Sequence, residues 1–212
     1  RTAYPNPNPN LNPDPDPNPS PSPNPNPNPN QAARLVESCN RLGVCCKATE
    51  MRPDALGAQA PEGSEEFRYR VIALKPLFIL DQLEKTNEPV VYLDVDLEFH
   101  QFPKLFLPGS WPEGPRDVAL FNFWANETNL TYRHTPNIGS AVAYFNQTYR
   151  AKKLLTAWAE AMMYGSNARA PDDQVLDTLL NSGGWIGRCS LGLSLIHISE
   201  PTRPRLLSYA VF

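Results

Sequence analysis

The chain has no excess of positive charge and no long apolar run. Its 19 Lys and Arg residues face 22 Asp and Glu residues, so the formal net charge is −3. This balance lacks the basic footprint of nucleic-acid binding, and we expect no nucleic-acid partner. No apolar run reaches the length of about 18 residues that a membrane span requires, and no signal peptide is recognisable at the start. We expect membrane contact only through an N-terminal anchor missing from this sequence.

Cysteine is scarce, and its spacing does not match a zinc site. The four cysteines are Cys39, Cys45, Cys46 and Cys189. The simplest interpretation is that they are buried free thiols. On that interpretation they do not identify the redox compartment.

The first 30 residues are unlike a folded domain. Residues 5–30 are almost entirely Asn-Pro dipeptides with Asp-Pro and Ser-Pro variants, and half of the 24 prolines lie there. Proline removes backbone donors, and the segment has almost no apolar side chains to bury, so we predict a disordered tail over residues 1–30. Translated repeat DNA and a genuine Pro-rich linker are both compatible with this pattern.

The C-terminal segment also looks foreign to the domain. Residues 193–203 resemble the translation of a transposase adapter used in short-read sequencing libraries. Residues 208–212 resemble the distal part of the same adapter in the same frame. We therefore predict that residues 193–212 are artefactual, and His197 receives no functional role despite its ligand chemistry.

Residues 31–192 remain as one domain in which helical and strand patterns alternate. Apolar spacing predicts helices over 31–42, 71–83, 151–164 and 171–180 and strands over 44–48, 90–95, 118–124, 140–145 and 185–189. Loops are predicted over 50–66 and 125–139. Strands that alternate with helices indicate an α/β fold in which helices flank both faces of an open sheet.

Two carboxylates end the strand predicted over residues 90–95. Side chains alternate along a strand, so Asp94 and Asp96 should point the same way. Adjacent acids repel unless a cation or hydrogen-bond donors separate them, and carboxylate oxygens suit Mn²⁺ or Mg²⁺. This end of the strand is therefore a candidate metal site for a phosphate-bearing substrate. The alternative is an ordinary turn rich in Asp.

Three other segments carry polar groups with two possible roles each. Lys75 interrupts an apolar helix and either contacts a diphosphate or extends to water, which is the simpler expectation. Asn137 and Gly139 precede a strand and either approach a ligand or form a turn. Asp172 and Asp173 begin a helix and either face a site or cap the helix, with capping favoured in isolation.

Three glycosylation sequons begin at Asn126, Asn129 and Asn146. They have meaning only in a secretory compartment, where the glycosylation machinery acts.

Taken in order, four segments resemble a known family. These are residues 75–79 (KPLFI), 91–96 (VYLDVD), 137–140 (NIGS) and 171–174 (PDDQ). They are similar to the nucleotide-diphospho-sugar transferase domain of glycosyltransferase family 77 and its relatives. The resemblance covers about residues 31–192, and the ordered set is more specific than the Asp-X-Asp triplet alone.

The resemblance implies a GT-A fold, a Rossmann-like open mixed sheet, and transfer of a sugar from a nucleotide-diphosphate donor. It implies a metal-dependent enzyme of the Golgi or secretory lumen that acts on a glycan or glycoprotein acceptor, with a UDP-sugar as the expected donor and retention of configuration. The implied roles are metal binding by Asp94 and Asp96, substrate binding by Lys75, Asn137 and Gly139, and catalysis by Asp173, Asp172 and Gln174.

Two departures from the family accompany this expectation. The first strand and its base-binding loop have no counterpart before Gln31, and a C-terminal part that often supplies a further metal ligand is missing. We therefore expect an incomplete transferase domain whose missing parts weaken ligand binding and activity. The alternative is a catalytically inactive nucleotide-sugar or carbohydrate-binding module of the same fold.

Overall fold

The computed structural model describes residues 29–49, 64–107, 109–111, 114–122, 137–165, 169–182, 184–185, 191–194 and 209–211. Most of the predicted tail and of the predicted loops lies outside these residues. The sequons at Asn126 and Asn129 and the cysteine at position 189 lie outside them too.

Five α-helices form within the described residues, close to the four that the apolar spacing predicts. They are α1 (Pro29–Arg41), α2 (Glu65–Ala73), α3 (Lys75–Thr86), α4 (Tyr149–Tyr164) and α5 (Asp172–Ser182), and a short 3₁₀ helix covers Lys104–Phe106. Ser64 caps α2 by accepting a hydrogen bond from the Phe67 N–H, and Thr148 caps α4 through the Ala151 N–H.

The predicted helix over residues 71–83 is divided: residues 71–73 end α2, which begins at Glu65 inside the predicted loop over 50–66, and residues 75–83 belong to α3. Leu74 separates α2 from α3, and Pro76 lies in the first turn of α3. Proline has no N–H to bond the preceding turn but fits the start of a helix, so the chain ends one helix and begins another here.

Six strands form one mixed sheet in the order β1-β6-β2-β4-β3-β5. They are β1 (Lys47–Thr49), β2 (Val90–Asp94), β3 (Val118–Asn122), β4 (Ile138–Phe145), β5 (Leu191–Ser194) and β6 (Tyr209–Val211). All neighbouring pairs are antiparallel except β3 and β5, which are parallel. The central unit is the antiparallel triplet β2-β4-β3.

The sheet is covered on both faces, as the sequence predicts. On one face, Val90 and Tyr92 of β2 belong to a core that includes buried residues from α2, α3, α4 and α5. On the other face, Val91 and Leu93 belong to a second core with Leu35 of α1 and the segment that follows β2. The fold is therefore a mixed α/β fold whose central strand is buried from both sides.

Two strands come from the C-terminal part of the chain. β5 begins at Leu191 and pairs with β3, whereas the predicted strand over 185–189 lies mostly outside the described residues. β6 pairs with both β1 and β2, so residues within the segment that the sequence predicts to be artefactual complete this side of the sheet.

The interpretation of the cysteines as buried free thiols is wrong for the three that the structure describes. Cys39 of α1 and Cys46 form a disulfide across a sequence separation of 7, and Cys45 is free but exposed. The two half-cystines lie in the helix end and the following turn, where the chain reverses at Gly43 with φ of 69°. This turn brings Cys39 and Cys46 close enough to form a disulfide. Comparison of the cysteine spacing with zinc sites could not have predicted this pairing.

Among the described residues, no helix is both long enough and apolar enough to span a membrane.

Candidate functional site: a buried lysine between two carboxylates

The four sequence segments singled out above meet at one end of the sheet. β2 and β4 are antiparallel, so the start of β4 lies beside the end of β2. Lys75 is the first residue of α3, and Asp172 is the first residue of α5. Two helix N-termini and two strand ends therefore meet near Asp94.

Lys75 is at the centre of this cluster and is only 1% exposed. Its Nζ lies 2.5 Å from Asp172 Oδ2 and 3.2 Å from Asp94 Oδ1, and it donates a hydrogen bond of 3.1 Å to Ser140 Oγ. It also lies 4.9 Å from the centroid of the Tyr92 ring. The expectation that this lysine extends to water is wrong, because its charge is compensated inside the protein.

Asp172 is committed to the cluster, and the predicted capping of α5 is also present: the Asp172 carboxylate accepts a hydrogen bond from its own backbone N–H, and Asp173 Oδ1 accepts one from the Gln174 N–H. Besides the Lys75 ion pair, Asp172 Oδ2 accepts a hydrogen bond of 2.5 Å from Ser140 Oγ. Its backbone carbonyl accepts a hydrogen bond of 3.1 Å from Trp158 Nε1 of α4. The N-terminus of α5 is thereby fixed to β4, α3 and α4 at one residue.

A β-bulge explains how Ser140 reaches this face of the sheet. Leu120 of β3 pairs with Ala143, but the next residue, Phe121, pairs with Gly139, so β4 carries extra residues here. Val142 packs in the α1-side core, and regular alternation would send Ser140 to that same face. The bulge reverses the alternation and directs the hydroxyl to Lys75.

The electrostatics of the cluster favour its charged form. Burial acts to lower the pKa of the Lys75 ammonium, but attraction to Asp172 and Asp94, with hydrogen bonds to both, raises that pKa above its ordinary value. Burial acts to raise the pKa of the Asp172 carboxyl, yet attraction to Lys75 and hydrogen bonds from Lys75 and Ser140 lower it. Both groups are therefore ionised at neutral pH.

Asp94 is the more accessible acid of the cluster, with its side chain 21% exposed. Tyr92 lies two residues earlier on the same face of β2, and its hydroxyl donates a hydrogen bond of 2.6 Å to Asp94 Oδ1. Lys75 contacts the same oxygen. Both contacts therefore engage Oδ1, and Oδ2 is the oxygen that a further ligand would take.

Asp96 lies in a turn rather than in the strand. β2 ends at Asp94, one residue before the predicted end, and the Leu97 N–H donates to the Asp94 carbonyl across the turn at 3.2 Å. Strand alternation therefore does not determine where Asp96 points, contrary to the argument from spacing. The side chain is partly buried, and it remains the acid nearest in sequence to the cluster.

The other predicted site residues lie along the same edge but contact different partners. The Asn137 N–H donates to Asn122 Oδ1 at 3.1 Å, and Gly139 is buried in β4. Asp173 Oδ1 accepts a hydrogen bond of 2.8 Å from the N–H of Gln174, whose side chain is exposed. These two hydrogen bonds do not involve Lys75, and the residues border the buried cluster.

Sequence reasoning assigned no individual role to Ser140, Tyr92 or Trp158. Tyr92 was detectable, because it lies two positions before Asp94 on a strand and so shares its face. A buried Trp indole usually has an acceptor for its N–H, so a hydrogen bond from Trp158 was detectable in kind but not in partner. The role of Ser140 depends on the bulge, which no local sequence signal announced.

Carboxylates of the kind found at this edge are usual ligands of divalent cations of the Mg²⁺ type. No group of three or more His, Cys, Asp or Glu side chains within the described part of the chain is arranged to hold a metal. Mg²⁺, however, is usually bound by one or two carboxylates together with waters and substrate phosphates. Asp94 Oδ2 and the Asp96 carboxylate are the groups that would hold it. Since two carboxylates share one ammonium, the cluster also retains a negative charge.

No known protein family, curated protein or solved structure matches this chain.

Proposed function

We propose that the chain is a partial GT-A-type glycosyltransferase domain that binds a nucleotide-diphosphate sugar at the Asp94 end of β2. The proposed reaction is metal-dependent transfer of the sugar to a glycan or glycoprotein acceptor, with retention of configuration. The proposed donor is a UDP-sugar, and the proposed cofactor is Mn²⁺ or Mg²⁺.

One observation carries this proposal. Each of the four segments that resemble the transferase family contributes a side chain to a single cluster, namely Lys75, Asp94, Ser140 and Asp172. These segments are far apart in sequence, so their convergence is a property of the fold. Convergence of a motif set on one sheet edge is the expected arrangement for a ligand site in an α/β protein.

The residues divide into three groups in this proposal. Asp94 and Asp96 would hold the cation, which when bound would stabilise the charge of the departing nucleoside diphosphate. Asn137 and Gly139 border the same edge and would shape the sugar pocket. Asp173 and Gln174, at the accessible side of the α5 N-terminus, would contact the transferred sugar or the acceptor.

A secretory compartment is part of the proposal and has structural support. The Cys39–Cys46 disulfide is of a kind that persists in oxidising compartments and is rare in the cytosol. The sequons at Asn126 and Asn129 lie outside the described residues, so the disulfide is the relevant observation. We propose the Golgi or secretory lumen, with membrane attachment through a preceding anchor.

A catalytically inactive nucleotide-sugar or carbohydrate-binding module is the second candidate, and the position of Lys75 favours it. The ammonium contacts Asp94 and Asp172 at once, so one positive charge inside the protein is shared by both carboxylates. Such a cluster is able to stabilise a fold or orient a bound sugar without performing chemistry.

The first experiment tests whether nucleotide-sugar binding requires a metal ion. We would titrate the full chain with UDP-glucose and UDP-galactose by calorimetry, with and without Mn²⁺. Nucleotide binding that requires Mn²⁺ and is lost in Asp96→Ala supports the proposal. Asp81→Ala is the matched control, because Asp81 is an exposed acid of α3 paired with Lys85. Nucleotide-sugar binding that is equally strong without Mn²⁺, or that is retained in Asp96→Ala, contradicts the proposed metal site.

The second experiment separates the two candidate functions. Wild-type chain would be incubated with Mn²⁺ and the UDP-sugar that binds, and release of UDP would be followed by chromatography. UDP release to water or to an added oligosaccharide supports the transferase. Metal-dependent binding without any release of UDP supports the inactive module.

A further inference from the structure

Of the three sequons, the one at Asn146 lies within the described residues, and it forms a junction of the fold. β4 ends at Phe145 and α4 begins at Tyr149, so Asn146, Gln147 and Thr148 are the whole connection between them. A sequon asparagine is a potential acceptor of an N-linked glycan in a secretory compartment. The contacts of this junction therefore decide whether the acceptor is accessible.

The side-chain amide of Asn146 is hydrogen-bonded at its nitrogen and at its oxygen. Its Nδ2, the atom to which a glycan would be attached, donates to the Arg116 carbonyl at 3.0 Å. Its Oδ1 accepts from the Gln147 N–H at 2.8 Å, and its backbone N–H donates to the Asp117 carbonyl at 2.8 Å. These contacts hold the amide against the segment that leads into β3.

The other two residues of the sequon bind further parts of the fold. Gln147 Nε2 donates to the carbonyls of Leu83, in α3, and of Glu88, just before β2. Thr148 Oγ1 accepts from the Ala151 N–H at 3.2 Å in the first turn of α4. Each side chain of the sequon thus has a hydrogen-bond partner within the folded chain.

We propose that Asn146 is a glycan acceptor in the unfolded chain and becomes inaccessible when the chain folds. In the transfer, Asn146 Nδ2 forms a bond to the anomeric carbon of a lipid-linked oligosaccharide and loses one proton. The bond from that carbon to the lipid diphosphate breaks, and the diphosphate leaves with the bonding electrons.

Folding limits this transfer because the enzyme must enclose the sequon together with its neighbours. The junction has to detach from its partners, and the hydrogen bonds of Asn146, Gln147 and Thr148 then break together. Only a small fraction of folded molecules is therefore open at any time. This inference concerns how the chain is modified, and it does not rest on sugar transfer by the chain itself.

The test compares transfer to the folded chain with transfer to the same sequon in a linear peptide. The full chain with its disulfide intact and a peptide of residues 141–152 would each be incubated with an oligosaccharyltransferase and a lipid-linked oligosaccharide. A peptide this short is largely unstructured in water, so its sequon is accessible. Mass spectrometry of digests gives the rate at Asn146, and we expect the folded chain to react on the order of a hundredfold more slowly.

Gln147→Ala tests the contacts themselves, because it removes the hydrogen bonds to Leu83 and Glu88 and keeps an Asn-X-Thr sequon. The rate for this chain, divided by the rate for a peptide with the same substitution, should exceed the wild-type ratio by about fivefold. Thr156→Ala is the matched control, because the Thr156 hydroxyl bonds a backbone carbonyl on the exposed face of α4. It should leave the wild-type ratio unchanged to within about twofold. Circular dichroism establishes that each chain is folded.

A wild-type chain that reacts less than about tenfold more slowly than its peptide overturns the inference. A Gln147→Ala ratio equal to that of the wild type also overturns it, because the protection would then have another origin. If Gln147→Ala does not fold, the comparison of the wild-type chain with its peptide decides the question. Neither measurement contains a nucleotide sugar, so failure here and failure of the proposed function are distinguishable.

Discussion

Lys75 and Asp172 form a buried ion pair of 2.5 Å between the first residues of two helices. A cation at a helix N-terminus is opposed by the helix dipole, whereas a carboxylate there is favoured. Lys75 is therefore in an unfavourable place on its own helix, and its partners on β2, β4 and α5 account for its presence. The pair connects helix packing to the site at the end of β2.

Replacement of Ser140 tests how much the cluster depends on its one neutral member. Ser140→Ala removes a hydrogen bond to each of two buried charged groups. We expect the free energy of unfolding to fall by about 2 kcal/mol, measured by urea denaturation. Thr156→Ala is the control, since the Thr156 hydroxyl bonds a backbone carbonyl on the exposed face of α4 and should change stability by less than about 0.5 kcal/mol. Equal effects of the two substitutions would contradict the cluster.

The pH dependence of stability follows from the two shifted pKa values. The pKa of Asp172 is lower in the folded chain than its ordinary value of 3.8, so its stabilisation is complete above that value and is lost as the pH falls. The pKa of Lys75 is raised above 10.5, so its stabilisation is complete below 10.5 and is lost as the pH rises further. We expect stability to decline at both extremes.

Asp172→Asn isolates the acid side of this dependence. The variant should be less stable at neutral pH but should lose less stability than the wild type as the pH falls from about 5 to 2. Urea denaturation at a series of pH values gives the two slopes. Asp81→Asn should keep the wild-type slope, because the Asp81–Lys85 pair is exposed to water. An unchanged slope in Asp172→Asn would show that Asp172 is not the titrating group.

The Cys39–Cys46 disulfide should contribute measurably to stability. It closes a short loop with a sequence separation of 7, and the loop-entropy relation gives about 2.5 kcal/mol for such a loop. Cys46→Ser should lower the free energy of unfolding by roughly that amount. Cys45→Ser should leave it unchanged, because Cys45 is exposed and free. Mass spectrometry of peptides from non-reduced protein checks the pairing, and a Cys45–Cys46 or Cys39–Cys45 peptide would contradict it.

Thr148, the threonine of the Asn146 sequon, has a structural role at the start of α4. Thr148 Oγ1 caps α4 by accepting the Ala151 N–H at 3.2 Å. Thr148→Ala should therefore lower the free energy of unfolding by about 1 kcal/mol, and Thr148→Ser should retain most of it because serine also caps. Thermal denaturation of the two variants measures the difference. Equal losses in both would indicate that the methyl group, and not the hydroxyl, carries the effect.

Much of the fold follows from local patterns in the sequence. Apolar spacing located α1, α3, α4 and α5 to within a few residues, because each of them has an apolar face, whereas most of α2 was not predicted as helix. The buried run before Asp94 was also predictable as a central strand. Covering of both sheet faces followed from the alternation of helices and strands, and the two cores confirm it.

The arrangement of the site was less predictable, because it depends on tertiary contacts. Lys75 has the same sequence surroundings whether it extends to water or forms a buried ion pair, and only the packing of α5 decides between them. The direction of Ser140 depends on a bulge between β3 and β4. The disulfide depends on the turn at Gly43, which brings Cys46 back to α1. In each case the arrangement depends on how another part of the chain packs, and the local sequence pattern does not predict that packing.

The position of β6 has a consequence for the edge of this sheet. Within the described residues, β1 joins the sheet only through β6, the most C-terminal strand. The segment predicted to be artefactual therefore covers the outer edge of β2, and a chain without residues 209–211 would leave that edge open. An open, apolar strand edge is a surface on which chains pair with one another, so we expect such a shortened chain to aggregate more readily.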